Sequence, residues 1–111
     1  MDQRILLADN SYTIRRIVEL SFQDIENVEL FSFESGANLK EKLLEIRPQV
    51  VLIDIKLPEF NGYEACKFIN EEPSLVNTKI LLMKGGFEPI DEDLLTNLKY
   101  EDIITKPFDS K

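Results

Sequence analysis

Short apolar runs alternate along this chain with segments whose apolar residues recur every three or four positions. The runs are Arg4–Ala8, Val28–Phe33, Gln49–Asp54, Lys79–Met83 and Asp102–Thr105. The third contains Val50-Val51-Leu52-Ile53, an apolar stretch expected of a strand buried on both faces of a parallel sheet. In the first intervening segment Ile14, Ile17, Val18, Phe22 and Ile25 follow helical spacing, with Ser11 placed to cap it. In the second, Leu39, Leu43 and Ile46 share a face and Pro48 marks the stop. In the third, Ala65, Ile69 and either Cys66 or Phe68 line one side, and Pro73 ends it. In the fourth, Leu94, Leu95 and Leu98 form a short stripe after Asp91.

The order β-α-β-α-β-α-β-α-β predicts an α/β fold of three layers, a parallel sheet with helices on both faces. Right-handed crossovers reduce the topology to a few doubly wound choices. No linker, repeat or low-complexity tract divides the 111 residues, which read as a single domain. After the fifth run the chain reads Lys106-Pro107-Phe108-Asp109-Ser110-Lys111, so the helix that would close the sheet is expected to be missing. Apolar surface beside the first and fifth strands is then expected to be exposed and to favour self-association.

Composition narrows the function classes. Hydrophobic residues make up 43%, enough for a packed interior. No apolar run approaches the roughly 18 residues of a membrane span, and Met1-Asp2-Gln3-Arg4 lacks a signal-peptide pattern. Cys66 is the sole cysteine, read as a core residue, which excludes an internal disulfide and a cysteine zinc cluster. There is no histidine, which excludes histidine triads and histidine metal sites. The net charge of −8 lacks the basic footprint of a nucleic-acid binder. A cytoplasmic protein with no direct nucleic-acid or membrane partner is expected.

The candidate chemistry lies at strand ends. Asp54 is a lone carboxylate closing the apolar third run, before Pro58 and Asn61-Gly62 break the chain. A carboxylate is costly to bury, so it belongs where the strand leaves the core, and that end of an open parallel sheet is where ligands bind. Asp9 and Asn10 follow the first run, Lys84 the fourth and Lys106 the fifth. In a parallel sheet these ends converge on one edge. Converging carboxylates can hold a hard cation such as Mg²⁺, one can act as a nucleophile toward a phosphoryl group, and a lysine beside it can offset the added charge.

Ile5-Leu6-Leu7-Ala8-Asp9-Asn10-Ser11, then Val51-Leu52-Ile53-Asp54 with Pro58 and Asn61-Gly62-Tyr63-Glu64, then Lys106-Pro107-Phe108, resemble in order and spacing a two-component response-regulator receiver domain. The resemblance covers essentially the whole chain except the last helix. It implies a flavodoxin-like sheet of order 2-1-3-4-5, with Asp54 as phosphoacceptor and Lys106 contacting the phosphoryl group. It implies Mg²⁺ held by Asp9, position 10 and Asp54, with the Lys56 backbone carbonyl as a further ligand. It implies a histidine kinase or phosphotransfer protein as donor and a downstream protein or output domain as recipient. Such a domain is no enzyme beyond catalysing its own phosphorylation and dephosphorylation.

Three positions depart from the family's pattern. Asn10 stands where receivers usually have a second acid, Lys84 where they usually have Ser or Thr, and Ile103 where a switch aromatic is usual. Formal charge over Asp9, Asp54, Lys84 and Lys106 is zero, against −2 for the usual three acids and one lysine. Mg²⁺ is therefore expected to bind weakly, and Lys84 to pair with Asp54. The Lys56 side chain is expected to face solvent, and Phe87-Glu88-Pro89 to form either a partner-contact loop or a turn with a buried phenylalanine. The alternative to a phosphoacceptor is a phosphorylation-independent pseudo-receiver that acts as a protein-binding module. A nucleotide- or flavin-binding flavodoxin-like domain is disfavoured, because no G-x-G-x-x-G or Walker A run is present.

Overall fold

The computed structural model describes residues 2–106. Five parallel strands, β1 (Gln3–Ala8), β2 (Val28–Phe33), β3 (Val50–Asp54), β4 (Lys79–Gly85) and β5 (Asp102–Lys106), form one sheet of order β2-β1-β3-β4-β5. The helices are α1 (Tyr12–Phe22), α2 (Leu39–Ile46), α3 (Gly62–Glu71) and α4 (Glu92–Leu95), with a 3₁₀ turn at Pro73–Leu75. The receiver topology expected from the sequence is therefore the one observed. Strand ends differ from expectation where they matter for the site: Lys84 lies inside β4 and Lys106 is the last residue of β5.

Side-chain alternation along the strands sorts the core into two layers. Leu6, Ala8, Val51, Ile53, Ile80 and Leu82 face the helices α2, α3 and α4, packing on Leu39, Leu43, Ala65, Cys66, Ile69 and Leu95. Ile5, Leu7, Leu52 and Met83 face the other way, against Val18 of α1. Leu81 and Ile104, at the β4–β5 side of that face, are only partly buried. The residues after Lys106, where a closing helix was expected to be missing, lie outside the described part of the chain.

Local chemistry sets the helix ends. The Ser11 hydroxyl accepts the Ile14 N–H at 3.3 Å, the cap expected from sequence. Helix α1 stops at Phe22, so Ile25, counted in its periodic stripe, is half exposed beyond it. Asn61 and Glu64 form a reciprocal capping box at the start of α3. The fourth helix is a single turn capped by Asp91, and Leu94 of its expected apolar stripe is exposed. Cys66 is fully buried and burial pushes its thiol up to about 11, as suits a core residue.

Gly62, the first residue of α3, lies against the loop leaving β3. A Cβ there would sit 2.9 Å from the Ile55 Cα and 3.0 Å from the Asp54 carbonyl oxygen. Gly62→Ala should therefore push α3 off that loop and cost about 1–3 kcal/mol, read as a lower urea midpoint at unchanged slope.

Candidate functional site

Register brings the expected charges together. Ala8 pairs with Ile53, so Asp9 and Asp54 emerge side by side from β1 and β3, the two central strands. Asp54 pairs with Met83, Met83 with Ile104 and Gly85 with Lys106. With two-residue alternation, Asp9, Asp54 and Lys106 share the face of Leu7, Leu52 and Met83. Lys106 reaches over β4 to the acids, and the residue of β4 paired with it is Gly85.

Asp9 and Asp54 are 0% and 5% exposed. The Lys106 ammonium donates to Asp9 Oδ2 at 2.8 Å and to Asp54 Oδ2 at 3.0 Å. Each remaining oxygen takes a loop N–H two residues further on, Ser11 to Asp9 Oδ1 at 2.8 Å and Lys56 to Asp54 Oδ1 at 3.0 Å. These Asx-type turns fix both carboxylates from their own loops. Arg15 of α1 donates to the Asp9 backbone carbonyl at 2.6 Å and ties the helix to the same turn. Burial by itself would lower the Lys106 pKa. The hydrogen bonds and charges of Asp9 and Asp54 outweigh it, and the ammonium holds its proton above the usual value.

The other expected site residues are arranged differently. Asn10 is exposed in the turn after β1. Lys84 does not pair with Asp54; its ammonium meets the Gly85 carbonyl oxygen at 3.3 Å, and the ion pair of Asp54 is with Lys106. The reason is alternation: Met83 shares the face of Asp54, so Lys84, one residue on, projects from the opposite face. Ile103 is partly buried on that opposite layer. The Lys56 side chain is exposed, and its ammonium lies 3.2 Å from Glu88.

Glu88 is the site-edge residue that pattern reading missed. Of the loop Phe87-Glu88-Pro89, the phenylalanine is wholly exposed and the glutamate is tucked in, its side chain 15% exposed. Its Oε1 accepts the Gly85 N–H. Burial pushes the carboxyl up, but the Gly85 N–H, the Lys56 ammonium and the more distant Lys106 together bring it below the ordinary range. The available signal was Gly85-Gly86, a turn that lets an acid three residues on fold back.

The Lys106 shift has a pH consequence. A raised folded-state value means that the stability Lys106 carries is present below its ordinary value of 10.5 and lost as pH rises through the higher folded value. Denaturant unfolding from about pH 8 to 12 should show this loss in the wild type and not in Lys106→Met. At neutral pH Lys106→Met should cost about 3–5 kcal/mol, because two buried carboxylates lose their shared counter-charge.

Comparison with known proteins bears on this geometry. Residues 5–111 match the response regulator receiver domain family. Over 104 residues the chain is 25% identical to the transcriptional regulatory protein GltR of Pseudomonas aeruginosa, covering 94% of this chain and 43% of that one. It thus spans less than half of that relative. The receiver domain of AraT, a response regulator from Geobacillus stearothermophilus, superposes with a TM-score of 0.84 at 26% identity, over 99% of this chain and 85% of that one. The receiver domain of the sensor histidine kinase PA1611 from Pseudomonas aeruginosa has a magnesium ion coordinated in its active-site cleft. It shares the fold at a TM-score of 0.82 and 19% identity, over 99% of this chain and 89% of that one. Sheet order and the match along nearly its whole length agree: this chain belongs to the response regulator receiver domain family of two-component signalling.

Proposed function

We propose that Asp54 accepts a phosphoryl group from the phosphohistidine of a histidine kinase or phosphotransfer protein, and that the change is passed on through protein–protein contacts. The observation that carries this reading is the Lys106 ammonium bridging the buried Asp9 and Asp54 carboxylates at the carboxyl edge of the sheet. In the transfer, an Asp54 carboxylate oxygen attacks phosphorus. The phosphorus–nitrogen bond to the donor imidazole breaks, and its electron pair stays on nitrogen. The Lys56 N–H orients the attacking carboxylate, and Lys106 offsets charge gathering on the phosphoryl oxygens.

The donor set suits a hard divalent cation. Asp9, Asp54, the Asn10 amide oxygen and the Lys56 carbonyl are all oxygen ligands, and Asp9, Asp54 and Lys106 together leave one uncompensated negative charge. Mg²⁺ held there would screen the phosphoryl oxygens from the carboxylates. Asn10 contributes no charge, so affinity is set low. On this reading the domain is a signalling module whose only catalysis is its own phosphorylation and dephosphorylation. The partly buried Leu81 and Ile104 are the surface where self-association would begin.

A pseudo-receiver is the second reading, and Lys84 favours it. Its ammonium is turned to the Gly85 carbonyl, where the family resemblance places a hydroxyl for the phosphoryl group. Its mark would be cellular output that survives Asp54→Ala.

With acetyl phosphate and Mg²⁺, intact-mass measurement should show one phosphoryl group on the wild type, none on Asp54→Asn, and none on the wild type after chelation of Mg²⁺. An unmodified wild type at saturating donor, together with cellular output that survives Asp54→Ala, would count for the pseudo-receiver.

A further inference from the structure

Glu88 stands on the reacting face of the sheet. Gly85 shares the face of Met83, and with it of Asp54 and Lys106. Glu88 lies over Gly85 on that face: a Cβ there would make ordinary van der Waals contact with Glu88 Oε1, at 3.4 Å. The Met83 carbonyl accepts the Ile55 N–H from the chain leaving β3. Alternation then turns the Gly85 N–H toward the same side, the end of β3 that carries Asp54. An unpaired N–H at a strand end is a donor for an anion, and the Glu88 carboxylate takes it.

Lys56 links this carboxylate to the acceptor. Its backbone N–H holds Asp54 Oδ1 at 3.0 Å while its ammonium holds Glu88 at 3.2 Å. The described residues contain no group of three acidic side chains spaced to share a metal ion, so Glu88 is not a third ligand beside Asp9 and Asp54. It is an anion held by cationic and N–H donors next to the place where a second anion would form.

We propose that the Glu88 carboxylate is a resident anion in the cradle a phosphoryl group on Asp54 would use, so that the clasp to Gly85 and Lys56 must open before the phosphorylated state is stable. The proposal rests on the phosphoacceptor reading above. A phosphoryl group brings about two negative charges at neutral pH. It would meet the Glu88 charge as repulsion and would compete with it for the Gly85 N–H and the Lys56 ammonium. Glu88 therefore acts as a built-in competitor, and Asp54 is slow to react until a partner or a loop movement withdraws it.

The test compares the rate of phosphorylation by acetyl phosphate with Mg²⁺ in wild type, Glu88→Gln, Glu88→Ala and Lys56→Met. In this reaction an Asp54 oxygen attacks phosphorus, the phosphorus–oxygen bond to the acetyl group breaks, and acetate leaves with the electron pair. Glu88→Gln keeps the shape and removes the charge, and should react about tenfold faster, the worth of one charge-assisted hydrogen bond. Lys56→Met loosens the same clasp from its other end and should also react faster. Urea midpoints identify the folded variants, and any one of them that folds carries the comparison. Equal or slower phosphorylation of the variants beside a reactive wild type overturns the competitor role and leaves Asp54 as acceptor. A silent wild type with a reactive Glu88→Gln supports it most strongly, and silence in every folded variant overturns both readings.

Discussion

Two carboxylates leave the centre of the sheet side by side, both out of water, and one ammonium carried in from two strands away holds them. Two opposite unit charges about 4 Å apart attract by roughly 4 kcal/mol at an effective dielectric near 20, before desolvation is subtracted. Without Lys106 the like charges of Asp9 and Asp54 would face each other with only N–H dipoles to offset them. The contact needs the order β2-β1-β3-β4-β5, which puts both acids on adjacent central strands and Lys106 on the edge. It needs the parity that turns all three to one face.

The surroundings reduce the freedom of each partner. Ser11 caps α1 with its hydroxyl and holds Asp9 with its backbone N–H, so one residue joins a helix start to a charged side chain. The Lys56 backbone N–H holds Asp54 in the same way from the loop after β3. The close approach of Gly62 keeps α3 against that loop, and the Asn61–Glu64 capping box fixes the angle at which the helix begins. Asp54 is thus oriented by its own loop, and the lysine supplies charge.

The cationic residues around this edge divide by the face they occupy. Lys106 serves the acids, while Lys84, one alternation step from Met83, turns to a backbone carbonyl on the other side. Counting charges along the sequence treats them as equivalent; the pleat does not. Glu88 and Lys56 add an ion pair at the rim that neutralises itself while touching Asp54 through the Lys56 backbone. Net charge near Asp54 is therefore set less by composition than by which charges are already partnered.

Most of the architecture was legible in the sequence, because hydrophobic periodicity is a local property. The five apolar runs, the cap at Ser11, and the stops at Pro48 and Pro73 can be read without knowing what packs where. Asp9, Asp54 and Lys106 were legible as well, since each closes a strand and parallel strands end together. The shortness of α4 was not, because Leu94 continues an apolar stripe that has nothing to pack on. The partners of Lys84, Lys56 and Glu88 were not legible either. A long charged side chain chooses its partner among groups far away in sequence, and strand register and loop path decide which of those lie within reach. The sequence by itself determined a parallel α/β receiver with an aspartate at the carboxyl edge of its sheet. Tertiary structure decided that Lys106 and not Lys84 neutralises that aspartate, and that a glutamate three residues past the end of β4 folds back onto Gly85 and Lys56.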